Sequence, residues 1–347
     1  MISDRFADEV RAALTAADDE SASASERAEM LMEIAMGLQQ RPKSPEQLRS
    51  AVRLYDRALA ICPEDARLLW ARISARKGTA LQAIPEQGTA ALEHAREAFE
   101  AALPVLTEFG RPEECAEADM NLGVVVHALA GAGSARITDA IAAYQRALRV
   151  FDRTRHKREY AILQNNLATA FLSMPFSDER SNIREALAVQ AFEDGLKAVN
   201  LIDDPAEYAM LQNNLDNALQ YASSSQPVEN NLRALDAYCE ALKVRTRDTA
   251  PVEYANTIAN RANCLWNLPD DPEQPERGNR ANLAQAQADY SEARAIFLAH
   301  GETDKADLVA DAIDQIGREI LAFQEADDPA LHITRDASGP TRAQRRS

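Results

Sequence analysis

The stretch Ala140-Ile141-Ala142-Ala143-Tyr144-Gln145-Arg146-Ala147-Leu148 decides how this chain folds. Ala140, Tyr144 and Ala147 stand four and three residues apart, which puts them on one stripe of an α-helix. The small side chains on that stripe let a second helix approach, and the ring between them fills the space beside the contact. The signature recurs as Ala51/Tyr55/Ala58/Leu59, Ala95/Phe99/Ala102/Leu103, Ala188/Phe192/Gly195/Leu196, Ala234/Tyr238/Ala241/Leu242 and Ala286/Tyr290/Ala293/Arg294. Six copies of one helix point to an array of repeated units.

Ahead of each copy lies a second pattern, Glu, any residue, Ala, at Glu26/Ala28, Glu64/Ala66, Glu114/Ala116, Glu159/Ala161, Glu207/Ala209 and Glu253/Ala255. A glutamate in the first turn favours a helix start by facing the positive end of the helix dipole. In Asp204-Pro205-Ala206-Glu207 the cap, the proline and the reciprocal glutamate are all in place. Each unit is therefore expected to be two antiparallel helices. The intervals between units are 38, 50, 45, 48 and 46 residues, and most of the variation falls in the turn inside each pair. The array is expected to span residues 26–323, six helix pairs closed by a capping helix from Asp304 to Phe323. Residues 1–25 read as an amino-terminal helix and connector. Residues 324–347 read as a disordered tail, polar and ending in Arg342, Arg345 and Arg346.

Composition agrees with an all-α chain and narrows its partners. Glycine and proline supply only 27 of the 347 residues, too few for a turn-rich sheet protein. The net charge of −17 repels phosphate, so neither nucleic acid nor an anionic membrane is an expected partner. The first ten residues carry Asp4, Arg5, Asp8 and Glu9, unlike the apolar core of a secretion signal, and no apolar run reaches the roughly 18 residues of a membrane span. These features suggest a soluble, cytoplasmic protein. Cys62, Cys115, Cys239 and Cys264 are widely separated and read as small buried apolar residues.

The repeated stripe resembles that of the tetratricopeptide repeat family over residues 26–323. The family's first-helix pattern, a large apolar residue followed by a small one and a second apolar residue three further on, is matched by Ile34-Ala35 with Leu38, Leu122-Gly123 with Val126 and Leu167-Ala168 with Phe171. Leu215-Asp216 with Leu219 and Arg261-Ala262 with Leu265 match it less closely, and the second unit fits poorly near Trp70. The phrase Gln-Asn-Asn-Leu at 164–167 and 212–215 resembles a long-period variant found in bacterial repeat proteins. The resemblance implies a right-handed superhelical solenoid that serves as a protein-binding scaffold or adaptor.

Asn121, Asn166, Asn214 and Asn260 occupy one first-helix position in four successive units, and Asn217 and Asn263 lie three residues beyond two of them. The resemblance places these amides on the concave face. A carboxamide donates and accepts at once, so such a ladder suits the backbone of an extended peptide whatever its side chains. Gln220 and Trp266 would extend the face at its carboxy-terminal end, although Trp266 also reads as a core residue, and asparagine is common at these positions in such repeats. The acidic surroundings favour a neutral or basic segment of another protein. No nucleophile with its base, phosphate loop or metal-ligand spacing is legible, so no catalysis, cofactor or metal is expected. The rival readings are an accessory chaperone for an enzyme complex and a regulatory subunit that senses a small molecule.

Overall fold

The computed structural model describes residues 2–40, 42–85, 88–175, 180–220 and 227–326. Among them are fourteen α-helices, a short 3-10 turn at Pro275–Arg277 and no strand. The first unit of chain, Met1–Ala198, holds α1 (Ile2–Ala16), α2 (Ala24–Gln40), α3 (Pro45–Ile61), α4 (Arg67–Gln82), α5 (Ala90–Phe109), α6 (Pro112–Gly131), α7 (Ile137–Ala147), α8 (Lys157–Leu172) and α9 (Arg180–Leu196). The second, Val199–Ser347, holds α10 (Pro205–Gln220), α11 (Pro227–Leu242), α12 (Pro251–Trp266), α13 (Arg280–Ala299) and α14 (Thr303–Ala326). The division falls between the fourth and fifth helix pairs. The expected carboxy-terminal tail beyond residue 326 lies outside the described residues.

Local chemistry sets where the helices start. Proline opens α3, α6, α10, α11 and α12, where its missing N–H has no helical partner to lose. Ser23 and Glu26 cap α2 reciprocally: the Ser23 N–H donates to Glu26 Oε2 at 2.8 Å and the Glu26 N–H to Ser23 Oγ at 3.3 Å. Glu114 repeats half of that device by accepting the Arg111 N–H at 2.9 Å. Glu64 does not: the helix it was expected to open starts three residues later, at Arg67, and Glu64 sits in the preceding turn.

Packing follows the stripe. The pairs α2–α3, α4–α5, α6–α7, α8–α9, α10–α11 and α12–α13 each form an antiparallel hairpin, and α14 covers the far side of α13. The rings of Tyr55, Phe99, Tyr144, Phe192 and Tyr238 are fully or almost fully buried, and Tyr290 is only 6% exposed. Burial pushes the Tyr55 and Tyr144 phenols well above their usual range, so both stay protonated in the fold.

The ring needs its partner helix to be bare at one point. A Cβ added at Gly123 would stand 2.4 Å from the Tyr144 ring, and one at Gly78 would stand 2.9 Å from the Phe99 ring. Gly78 is 45 residues ahead of Gly123 and has Leu81 three residues on, so the second unit carries the first-helix pattern as Lys77-Gly78 with Leu81. The poor fit near Trp70 arises because Gly78 lies fourteen residues beyond Glu64, where Gly123 lies nine beyond Glu114, so the pattern stands five residues later in the second unit. This all-α array of helix hairpins is a tetratricopeptide-like repeat fold.

Two glycine substitutions separate the close approach from ordinary helix propensity. Gly123→Ala drives a methyl into the Tyr144 ring and is expected to lower stability by about 1–3 kcal/mol. Gly37→Ala, in α2 with nothing near the new methyl, is expected to raise it by about 0.5–1 kcal/mol. Urea denaturation of both variants checks the contrast.

Candidate functional site

Fixing the small residue of each first helix also fixes the position two residues before it. In the first unit of chain that position holds Glu33 on α2, Arg76 on α4, Asn121 on α6 and Asn166 on α8, and in the second it holds Asn214 on α10 and Asn260 on α12. The amide ladder therefore continues in the amino-terminal repeats as charged residues, which the misplaced second unit hid. The signal was present in the sequence as Gly78.

Asn121 lines a narrow crevice of about 40 Å³ with α4 on its other wall. Arg72 donates to both oxygens of Glu114, at 2.8 and 3.2 Å, and Arg76 donates to Glu117 at 3.1 Å, so salt bridges tie two successive first helices together. Burial raises the Glu114 carboxyl, but the Arg72 hydrogen bond and the Arg111 N–H outweigh it and hold the carboxyl below its usual range.

Asn166 is half-buried, and its oxygen accepts from the buried Asn165 amide at 3.3 Å. With one lone pair of its oxygen engaged from within, the Asn166 side chain still offers two N–H donors and one acceptor site. The next hydroxyl along the face, Thr169, turns back onto the carbonyls of Asn165 and Asn166. His127 on α6 bridges to the end of α8. Ser173 donates its only proton to the Thr169 carbonyl at 2.9 Å, so the 3.1 Å contact between His127 and Ser173 requires the imidazole proton on Nε2. Burial holds the His127 imidazole below its usual value of 6.5.

The second unit of chain repeats the arrangement and adds to it. Asn213 is buried and donates to Asn214 at 3.2 Å, as Asn165 does to Asn166. Asn213 also accepts from Asn260 at 3.5 Å and shares the single Thr257 hydroxyl proton, 3.2 Å away, with the Glu253 carbonyl at 2.8 Å, and these contacts clasp α10 to α12. Asn217 leaves the ladder: its oxygen accepts the Tyr238 hydroxyl at 3.0 Å. Asn263 is half-buried, and its backbone carbonyl accepts the Asn267 amide at 2.7 Å. Trp266 is half-buried in the core against α14, with its indole N–H on Glu319 at 2.9 Å. Its packing belongs to the cap. The Gln220 side chain lies outside the described residues.

Some surroundings differ from expectation. Cys239 is exposed rather than buried, while Cys264 is buried and its thiol meets the Asn231 carbonyl at 2.9 Å. Asp270, in the long insertion before α13, accepts the Ala281 and Asn282 N–H groups and so caps that helix. The basic turn after α7 is organised by Asp152, which accepts from Thr154 and Arg155. Two buried carboxylates were not legible at all, because their partners lie on the next helix. Asp119 on α6 accepts Arg146 of α7 at 2.6 and 2.9 Å through one oxygen, and Asp289 on α13 accepts Arg261 of α12 through both oxygens at 2.8 Å.

No protein-family model matches the chain, and no curated protein is similar enough in sequence to count as a relative. Solved structures similar in fold include the apo form of RapI, with a TM-score of 0.45 and 11% identity over 93% of this chain and 99% of that one. A Rap protein complexed with competence and sporulation factor gives a TM-score of 0.37 and 12% identity over 86% of this chain and 82% of the other. The TPR2AB domain of yeast Sti1 in its complex with pHSP90 gives 0.29 and 14% over 84% and 99%.

The two ion pairs and the histidine give separate expectations. Asp289→Ala strands an arginine whose side chain is 24% exposed and is expected to cost about 3 kcal/mol in urea denaturation; Asp119→Ala costs less, because Arg146 is 45% exposed and reaches water. His127 is depressed in the fold, so its stabilising contribution is complete above about pH 6.5 and lost as the pH falls through the lower folded value. Stability measured from pH 7.5 to 5 should fall, with a shallower slope in His127→Gln.

Proposed function

We propose that this chain is a protein-interaction scaffold without catalytic activity, whose first helices hold a peptide segment of another protein. In the first unit of chain the binding face is carried by α6 and α8, and in the second by α10 and α12. Residues 26–323 form the working array of helix hairpins, and the rest of the chain is peripheral to it. The observation that supports this reading is the repeated amide doublet. A buried asparagine, Asn165 or Asn213, holds the oxygen of an outer one, Asn166 or Asn214, in the same way in two repeats. An outer amide steadied from behind loses less freedom when a ligand docks on it, which is where preorganised sites gain affinity.

The clasp from Thr257 and Asn260 to Asn213 favours a second role for the same residues: joining successive first helices. The two roles fit together. The inner amide and Asn260 serve the fold, and the outer amides of Asn166 and Asn214 serve the ligand. The segment is neutral or basic, because the net charge of −17 disfavours an acidic one. An assembly chaperone would use the same face on an unfinished subunit; a sensor would instead close on a small molecule.

Affinity capture from native extract, followed by mass spectrometry of what is retained, separates these outcomes. A protein partner is expected. Its affinity should fall about tenfold or more in Asn166→Ala/Asn214→Ala, from about 1 kcal/mol for each lost hydrogen bond, and should weaken with added salt. Unchanged affinity in a folded double variant rules out the amide grip. A retained small molecule with no protein partner rules out the scaffold.

A further inference from the structure

A second recessed surface lies in the first unit of chain, away from the asparagines. It is a trough of about 550 Å³, open to solvent, walled by α5 and α7 and floored by α6. Each helix contributes one stripe. From α5 come Glu100, Leu103 and Thr107; from α6 come Asp119, Leu122 and Val126; from α7 come Asp139, Ala142 and Arg146. All three sets are spaced so that their members share a helix face. Seven residues of helix rise about 10 Å, so the trough accommodates about two turns of a further helix.

Its chemistry is apolar with one carboxylate on each side of the lining. Leu122 and Val126 on the floor are buried, half-buried Leu103 lines the α5 wall and exposed Ala142 the α7 wall. Asp119 lines the trough and is 5% exposed, and both Arg146 donors converge on its Oδ1, which leaves Oδ2 without a partner among the described residues. Glu100 and Asp139 stand on opposite walls, and among the described residues their ion-pair partners are the half-buried Arg96 of α5 at 3.9 Å and the exposed Arg136 just ahead of α7 at 2.9 Å. Pro104 lies inside α5, so the Glu100 carbonyl has no N–H donor four residues on and adds another acceptor on that wall. The same kind of pair in the second unit of chain is closed. There both Asp289 oxygens are taken by Arg261, and Gln285 donates to one of them at 2.8 Å.

We propose that this trough docks an amphipathic helix of a partner protein, with leucine-sized residues on Leu103, Leu122 and Val126 and one lysine or arginine reaching the free oxygen of Asp119. Charge complementarity selects the cation. Three carboxylates against one arginine make the lining anionic, and a buried carboxylate with an open oxygen is a strong acceptor for a charged donor. The shape selects the helix, because three parallel stripes two turns long match an apolar face repeating every three and four residues.

The test is selection of a displayed library of amphipathic helical peptides on the immobilised full-length chain. Enriched peptides are expected to carry a basic residue in the middle of the apolar face. They should bind Ala142→Arg at least tenfold more weakly, since that exposed position places a cation in the trough, and should bind Asn166→Ala/Asn214→Ala unchanged. Replacing the basic residue of a selected peptide by glutamine should also weaken it at least tenfold. The proposal is overturned if no helix is enriched, if enriched peptides lack a basic residue, or if Ala142→Arg binds them as tightly as the parent. It is also overturned in favour of self-association if the parent chain dimerises in sedimentation and Ala142→Arg is monomeric.

Discussion

Two hairpins of this protein, α4–α5 and α6–α7, depend on an aromatic ring meeting a gap in the opposite helix. Tyr144 lies where a single methyl on Gly123 would stand 2.4 Å away, and Phe99 lies against Gly78 almost as closely. Close-packed interiors do not yield to such intrusions, so the ring sets both the distance between the two helices and their rotation about their axes. Once rotation is set, every other residue of the first helix has a fixed direction. The residue two before the gap is half-buried or exposed in all six repeats, and the residue before that is buried in the two repeats that carry a pair of asparagines.

That geometry explains why polar residues appear at such different depths. Asn165 and Asn213 turn inward, and each is given work by the amide beside it. Asp119 and Asp289 are also buried, but each is met by an arginine from the other helix of its own hairpin. The sign of the arrangement is reversed between the two, with the acid on the first helix in one and on the second in the other. The fold therefore requires that a buried charge be compensated across the hairpin, and leaves open which helix carries it. At Asp289 compensation is complete, and at Asp119 one oxygen remains.

The repeat was legible because its marks are local. Alanine, ring and small residue fall within eight positions, and six copies placed all twelve hairpin helices to within a few residues. What failed was the first-helix register in the second unit, where a lysine stands in place of the large apolar residue before Gly78. The Gln-Asn-Asn-Leu phrase was visible, but periodicity alone does not say which of two adjacent asparagines faces out; burial does. Asn217 and Trp266 lie on the expected helices, yet their polar atoms bond Tyr238 and Glu319, 21 and 53 residues away. The salt bridges of Arg72 and Arg76 likewise join residues 42 and 41 apart, a distance at which spacing carries no information.

The position two residues before the small one carries glutamate, arginine and four asparagines, each on the first helix of a hairpin. Its side chain is oriented by polar neighbours, a buried asparagine in two repeats and a glutamate of the next first helix in another, and not by the ring and gap that set the hairpin. Such a column is an alphabet on a fixed spine. One repeat can acquire a new letter, or a whole hairpin can be duplicated with its letter, and the scaffold that displays it still folds by the same ring and gap. Diversification of what is bound then proceeds at a rate set by selection on the ligand, decoupled from selection on folding.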